Sequence, residues 1–385
     1  MATDKPGRTT GPFSGLLIVD LSHVLCGPFC TRLFADLGAR VVKVERPKSG
    51  DDARAFGPFL NGRSVYFSFI NRGKESIALD LRDDDDRKVL FAMIRRADVL
   101  VENFRPGTME RLGLGYPKLA EMNPRLIYGS ISGFGQTGPL SKERAYDTVI
   151  QGISGIMSVT GYPGGPPTRV GTSVADLTSG LYGFAAIASA LYARESTGKG
   201  TKIDVAMLDS MMTFVEHGVM EYSATGEIPG RLGNRHPLIT PFDTFRTGDE
   251  PIVVCAGDDE LFARLCGAIG RPELADERRF ASNAERTANH AALKQALEAA
   301  LTTKPSQHWL DTIARAGVPC GPINTVDKAV EHPQTNARNM MIVSDGIRMT
   351  GNPVKIDGYD DPAERPAAPG LDADGIRIRR EFGGR

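Results

Sequence analysis

Short apolar runs of strand length, alternating with segments of helical pattern, fill the first third of this chain, and they restrict its fold more than any other feature. LLIVDLS (Leu16 to Ser22), VVKVE (Val41 to Glu45), SIALDL (Ser76 to Leu81), VLVEN (Val99 to Asn103) and RLIYGSIS (Arg125 to Ser132) read as strands. Between them, PFCTRLFADL follows Gly27-Pro28 and ends at Gly38. RDDDDRKVLFAMIRR opens with Asp83 to Asp86 where a helix dipole favours negative charge, and Tyr116 to Met122 reads as a further helix. Strand, helix, strand units of this length predict an α/β fold with a Rossmann-like parallel sheet covered by helices.

At 385 residues the chain exceeds one comfortable core. A Gly/Pro-rich connection, EIPGRLGNRHPLITP, marks a boundary near Thr225. The expected organisation is a large domain over 1–224, a small α+β domain over 225–325, and a C-terminal segment over 326–385. The small domain is expected to hold one short strand, PIVVCAG, and helices at DELFARLCGAI and HAALKQALEAAL.

Hydrophobic residues at 41% and charged residues at 24% are ordinary globular values, and a net charge of -1 supplies no field for nucleic acid or an anionic membrane. No uninterrupted apolar stretch of ~18 residues and no N-terminal apolar segment occur, so a cytoplasmic protein is expected. Cys26, Cys30, Cys255, Cys266 and Cys320 lack paired C-x-x-C spacing and read as reduced, mostly buried thiols with no metal.

GFGQTG (Gly133 to Gly138) follows a strand but is succeeded by Pro139 instead of an apolar helix, which argues against dinucleotide binding. TGKGT around Lys199 lacks the first glycine of a phosphate loop and precedes a strand, and no G-x-S-x-G is present. SVADLTSGLYGFAAIASAL reads as a helix whose first turn holds Asp176, with Ser173 three residues earlier in a capping-box pattern. Spacing alone favours a capping role for Asp176. The same position also suits a carboxylate nucleophile that stays ionised, with nearby backbone amides to stabilise an oxyanion.

VDLSHVLCGPFCTRLFADLGARVVKVERPKSGD, NRGKESIALDL, VENFRPGTMERLGLGY, GSISGFGQTGP, AYDTVIQGISGIMSVTG and VADLTSG together resemble the class III coenzyme A transferases, whose cousins are the α-methylacyl-CoA racemases. The resemblance covers nearly the whole chain. It implies an interlocked homodimer with a Rossmann-like large domain built from both termini. It also implies transfer of CoA between carboxylic acids, with Asp176 carrying aspartyl anhydride and aspartyl-CoA thioester intermediates. A CoA thioester is then a co-substrate, with no permanently bound cofactor, no metal, and no nucleic-acid or membrane partner.

By the same resemblance, Arg46, Leu79, Asn103, Phe104, Arg111, Arg144, Ala145 and Tyr146 match CoA-contacting positions; from their place beside the early strands alone, Arg72, Lys74 and Arg105 are further basic partners expected for its phosphates. Leu25, Cys26 and Asp147 match positions at the acyl site. Tyr146 stands where the racemases hold a catalytic histidine, and a tyrosine of pKa ~10 is a poor base near neutrality, so racemization ranks second. A catalytically silent CoA-binding homologue is the third alternative. His23 reads as a structural histidine. Leu25 replaces a glutamine of the oxalate enzymes, and LGNRHPLITPF replaces their glycine run. An acceptor other than oxalate is therefore expected, such as succinate, glutarate, citramalate or mesaconate, its distal carboxylate held by Arg231, Arg235 or His236.

Overall fold

The structure is a computed structural model that describes residues 10–383. Its chain divides into two compact units. The first comprises residues up to Ile156, Arg169–Met220 and His332 to the C-terminus; the second comprises Met157–Thr168 and Glu221–Glu331. The second unit thus takes in Met157–Thr168, which lies inside the N-terminal portion of the sequence division.

The first unit is built on a six-stranded sheet of β1 (Leu17–Asp20), β2 (Arg40–Glu45), β3 (Glu75–Ala78), β4 (Val99–Glu102), β5 (Ile127–Ser132) and β6 (Lys202–Ala206). Every pairing is parallel, as in Ile18 against both Val41 and Val99. The spatial order is β3-β2-β1-β4-β5-β6, that of doubly wound nucleotide-binding sheets, whose ligands sit outside the carboxyl ends of the strands where the order reverses. Here the reversal falls between β1 and β4. Both are buried along their whole length, which is why they read as unbroken apolar runs.

Helix α1 (Cys26–Asp36) connects β1 to β2, and α2 (Asp84–Arg96) precedes β4. The acidic run does what its position predicts: Asp83 is the N-cap and accepts the amides of Asp85 and Asp86, while Arg95 and Arg96 occupy the last turn. Helix α3 (Tyr116–Met122) leads into β5. Helices α4 (Asp147–Ile153), α5 (Val174–Thr197) and α6 (Met207–Met212) pack on one another.

Helix α5 is long and apolar enough to cross a membrane by length and composition. Its Ala175, Gly183, Ile187 and Leu191 are buried in the first unit. A Cβ on Gly180 would come within 2.7 Å of the Cys26 carbonyl oxygen, so only glycine lets α5 lie this close to the start of α1. That approach brings Asp176 to Cys26.

Towards the C-terminus of this unit, Asp374 exchanges bonds with Ser76 on β3, the Asp374 amide donating to Ser76 O at 3.0 Å and the Ser76 amide donating to Asp374 Oδ2 at 3.1 Å. Ile378 and Phe382 then enter the core beside Leu90 and Met93.

The second unit contains an antiparallel sheet of β7 (Phe242–Phe245), β8 (Ile252–Cys255) and β9 (Cys320–Pro322), in the order β9-β8-β7. Helices α7 (Asp259–Ala268), α8 (His290–Leu301) and α9 (Ser306–Arg315) pack on it through Phe262, Leu265, Leu293, Leu297, Trp309 and Ile313. The expectation of a single strand is corrected. FDTF is only four residues long with two polar residues at its centre, and CGP looks like a turn, yet both pair with the apolar β8 and so complete a sheet.

Candidate active site

At the reversal between β1 and β4 the chain leaving β1 runs Ser22, His23, Val24, and the chain leaving β4 runs Asn103, Phe104. Asn103 ties the two together. Its Oδ1 accepts the His23 amide at 2.9 Å and its Nδ2 donates to the His23 carbonyl at 2.8 Å. Beneath them, Lys43 donates to the Ser22 carbonyl at 2.8 Å and pairs with Asp51, whose carboxylate accepts the Val24 amide at 3.0 Å. These bonds hold Val24 at φ 66°, a conformation a β-branched residue rarely adopts.

Two clefts share the His23 and Phe104 side chains as a common wall, their rings 5.2 Å apart. One, about 540 Å³, is lined by Arg46 and Leu79 together with Leu21, Val44 and Leu81. The other, an open cleft of about 810 Å³, is lined by Asn103, Arg105, Thr108, Arg144, Ala145 and Tyr146. Arg111 lies at its edge, donating to the Thr108 hydroxyl at 2.9 Å. Of the residues matched to CoA contacts by resemblance, the structure therefore gathers Arg46, Leu79, Asn103, Phe104, Arg144, Ala145 and Tyr146 along this pair of clefts.

Arg72 and Lys74 are corrected as phosphate partners. Arg72 is buried in a bidentate pair with Asp36, and Lys74 is buried against Asp20, so neither cation is open to a ligand. His23, read from sequence as structural, lines both clefts; its place directly after β1 at the reversal was the signal. Burial pulls its pKa below the usual value, which leaves the ring neutral near pH 7.

Asp176 lies in the first turn of α5. Burial and the neighbouring charge of Asp147 push its pKa up to about 7, against a smaller opposing effect from the Cys26 thiol, which donates to it. Loss of water and a like charge thus act against the ionisation expected of a carboxylate at a helix N-terminus. Ser173 occupies the N-cap position, but its side chain makes no capping bond. Asp147 caps instead, its Oδ1 accepting the Ala175 amide at 2.9 Å. The amides of Val174 and Leu177 bond to Thr172 and Ser173 carbonyls. These three first-turn donors are therefore already occupied.

Cys26 joins Asp176 to the cleft. Its sulfur accepts Asn103 Nδ2 at 3.3 Å, and burial and the nearby Asp176 charge push its own pKa up to about 12, so it remains a protonated donor at neutral pH. Leu25 is buried in an apolar cluster with Phe67 and Ile70, packed against Leu177 one residue beyond Asp176. Asp147 is buried, with one oxygen on Ala175 and the other on Gln151. Arg231, Arg235 and His236 belong to the second unit. There His236 Nδ1 accepts the amides of Leu238 and Ile239, both at 3.1 Å. No group of three or more His, Cys, Asp or Glu is placed to hold a metal ion among the described residues.

The chain is similar to proteins of known kind. The chain is 58% identical over 383 residues to an acetyl-CoA:oxalate CoA-transferase of Acetobacter aceti, covering 99% of this chain and 98% of that one. It is 39% identical to a succinate–glutarate CoA-transferase of Agrobacterium fabrum, over 88% of this chain and 86% of that one. The crystal structure of a CAIB/BAIF family protein from Brucella suis superposes with a TM-score of 0.86 at 40% identity, covering 97% of this chain and all of the other. The family model for CoA-transferase family III matches residues 13–375, and with the parallel sheet and the clefts at its reversal accounted for, the chain belongs to CoA-transferase family III.

Proposed function

We propose that this enzyme moves CoA from an acyl-CoA donor to a small dicarboxylate through covalent intermediates on Asp176. The observation that carries the proposal is Asp176 itself, a half-buried carboxylate in the first turn of α5 whose pKa desolvation and Asp147 push up to about 7, beside Cys26, which accepts from Asn103 on the cleft wall. A desolvated carboxylate of raised pKa is a stronger nucleophile than one in water, yet is substantially ionised at neutral pH.

In the first step a carboxylate oxygen of Asp176 attacks the donor thioester carbonyl. The carbon–sulfur bond breaks, and CoA leaves as its thiolate from a mixed anhydride. The thiolate then attacks the aspartyl carbonyl, expelling the donor acid as a carboxylate and leaving an aspartyl-CoA thioester. The acceptor carboxylate attacks that thioester, and the thiolate released attacks the acceptor side of the second anhydride. Acceptor-CoA departs and the Asp176 carboxylate is restored. One thioester replaces another, so the protein's task is positioning and charge stabilisation.

Arg105, Arg111 and Arg144 bring positive charge to the open cleft, suited to the phosphates of CoA, and Arg46, exposed and paired with Asp52, stands at the other, while Leu79 and Phe104 offer apolar walls. Arg235 and His236 remain our candidates for the acceptor's distal carboxylate. Oxalate now stands first among acceptors: identity of 58% across essentially the full length of a transferase named for it outweighs the sequence differences at Leu25 and in LGNRHPLITPF. Succinate and glutarate follow.

A homodimer is part of the proposal. Val149, Ile153, Leu181, Tyr182, Met212 and Phe214 expose apolar side chains on and just after helices that pack together, a surface suited to a second copy. The test is an assay of purified enzyme with acetyl-CoA or succinyl-CoA against a panel of oxalate, succinate, glutarate and mesaconate. New acyl-CoA formed from a dicarboxylate supports the reading. No transfer to any of them, together with deuterium exchange α to the thioester of a branched acyl-CoA, favours racemization instead.

A further inference from the structure

Gln151 lies on α4, wholly buried, one helical turn after Asp147. Its Oε1 accepts the Val170 amide at 2.8 Å, while its Nε2 donates to Asp147 Oδ2 at 2.7 Å and to the Thr172 carbonyl at 3.2 Å. A carboxamide has one face that accepts and one that donates, and each is matched here to a partner of the required kind, which fixes the side chain's orientation. Val170 and Thr172 belong to the strip of chain leading directly into α5. Asp147, held by the same carboxamide, caps Ala175 one residue before Asp176.

We propose that Gln151 is a positioning residue for acyl transfer, clamping the entry to α5 and the Asp147 cap so that the Asp176 carboxylate stays aimed at the thioester. The proposal rests on the reading of Asp176 as nucleophile. Gln151 touches no reacting atom and acts through Asp147 and the 170–172 strip. Displacement of a reacting group by about 1 Å can cost roughly 100-fold in rate. No other side chain of α4 bonds to both the strip and the cap among the described residues.

The test compares wild type with Gln151→Met, which keeps the volume and removes all three bonds, and with Gln151→Glu, which keeps an acceptor for Val170 and removes both donations. Rates are normalised to folded protein, and the rate of covalent labelling of Asp176 by acyl-CoA is followed by rapid quench and mass spectrometry. We expect kcat and labelling to fall 10- to 100-fold in each folded variant, with KM for acyl-CoA within about threefold. A residue that merely stabilises the fold would lower the melting temperature and leave kcat per folded molecule unchanged. Wild-type labelling with variant kcat and labelling within twofold overturns the role of Gln151 alone. Absence of labelling in wild type removes the Asp176 reading, and this inference with it.

Discussion

Asp147 Oδ1 accepts the Ala175 amide at 2.9 Å, so the carboxylate that caps α5 is also the charge that, with burial, raises the pKa of Asp176 in the next position. One group therefore sets both the geometry and the ionisation of the proposed nucleophile. In Asp147→Asn the side-chain oxygen can still accept the Ala175 amide, but the charge is gone and so is the acceptor for Gln151 Nε2. The midpoint at which kcat/KM rises with pH is expected to move down by roughly one unit, read from a pH–rate profile.

Asp176→Asn is expected to abolish transfer and to stabilise the protein in mildly alkaline solution. The carboxyl titrates near 7 in the fold and near its ordinary value of 3.8 when unfolded. The folded state therefore binds the extra proton between these values, and wild-type stability declines as pH rises through about 7. Above that the partly desolvated charge is a burden the asparagine lacks. Urea unfolding at pH 8 is expected to show the variant more stable by on the order of 1–3 kcal/mol, with the gap closing near pH 4.

Loss of the Cys26 thiol removes the donor that partly offsets the rise in the Asp176 pKa. Cys26→Ala is expected to shift the acid limb of activity upward, whereas Cys26→Ser, which retains a donor, is expected to stay close to wild type. The pH–rate profiles of the two variants decide between them.

Asn103→Leu leaves the His23 amide and carbonyl without their partner and frees the wall shared by both clefts. Each unpaired backbone group costs about 1–3 kcal/mol where it is buried. The expected result is a KM for acyl-CoA raised about tenfold or more, measured by steady-state kinetics with the acceptor saturating.

The central sheet was legible because parallel strands covered on both faces are apolar throughout, and the acidic start of α2 announced its own cap. The short strands Phe242–Phe245 and Cys320–Pro322 were not, since their stability comes from pairing with Ile252–Cys255 and not from their own composition. At the site, the segments bearing Asn103, Phe104 and Asp176 stood out in the sequence. The burial of Arg72 and Lys74 did not, because the carboxylates that neutralise them, Asp36 and Asp20, lie 36 and 54 residues away along the chain. The same holds for the raised pKa of Asp176 and the Gln151 clamp, which depend on helices meeting in space.

The central claim is that Asp176 carries the acyl and CoA groups. Purified enzyme incubated with acetyl-CoA or succinyl-CoA, quenched in acid and digested with trypsin, tests it through the mass of the peptide spanning residues 170–194. The account predicts an acyl or CoA adduct located on Asp176 that disappears when a dicarboxylate acceptor is added. Turnover in the assay with no adduct on that peptide under any donor would contradict it.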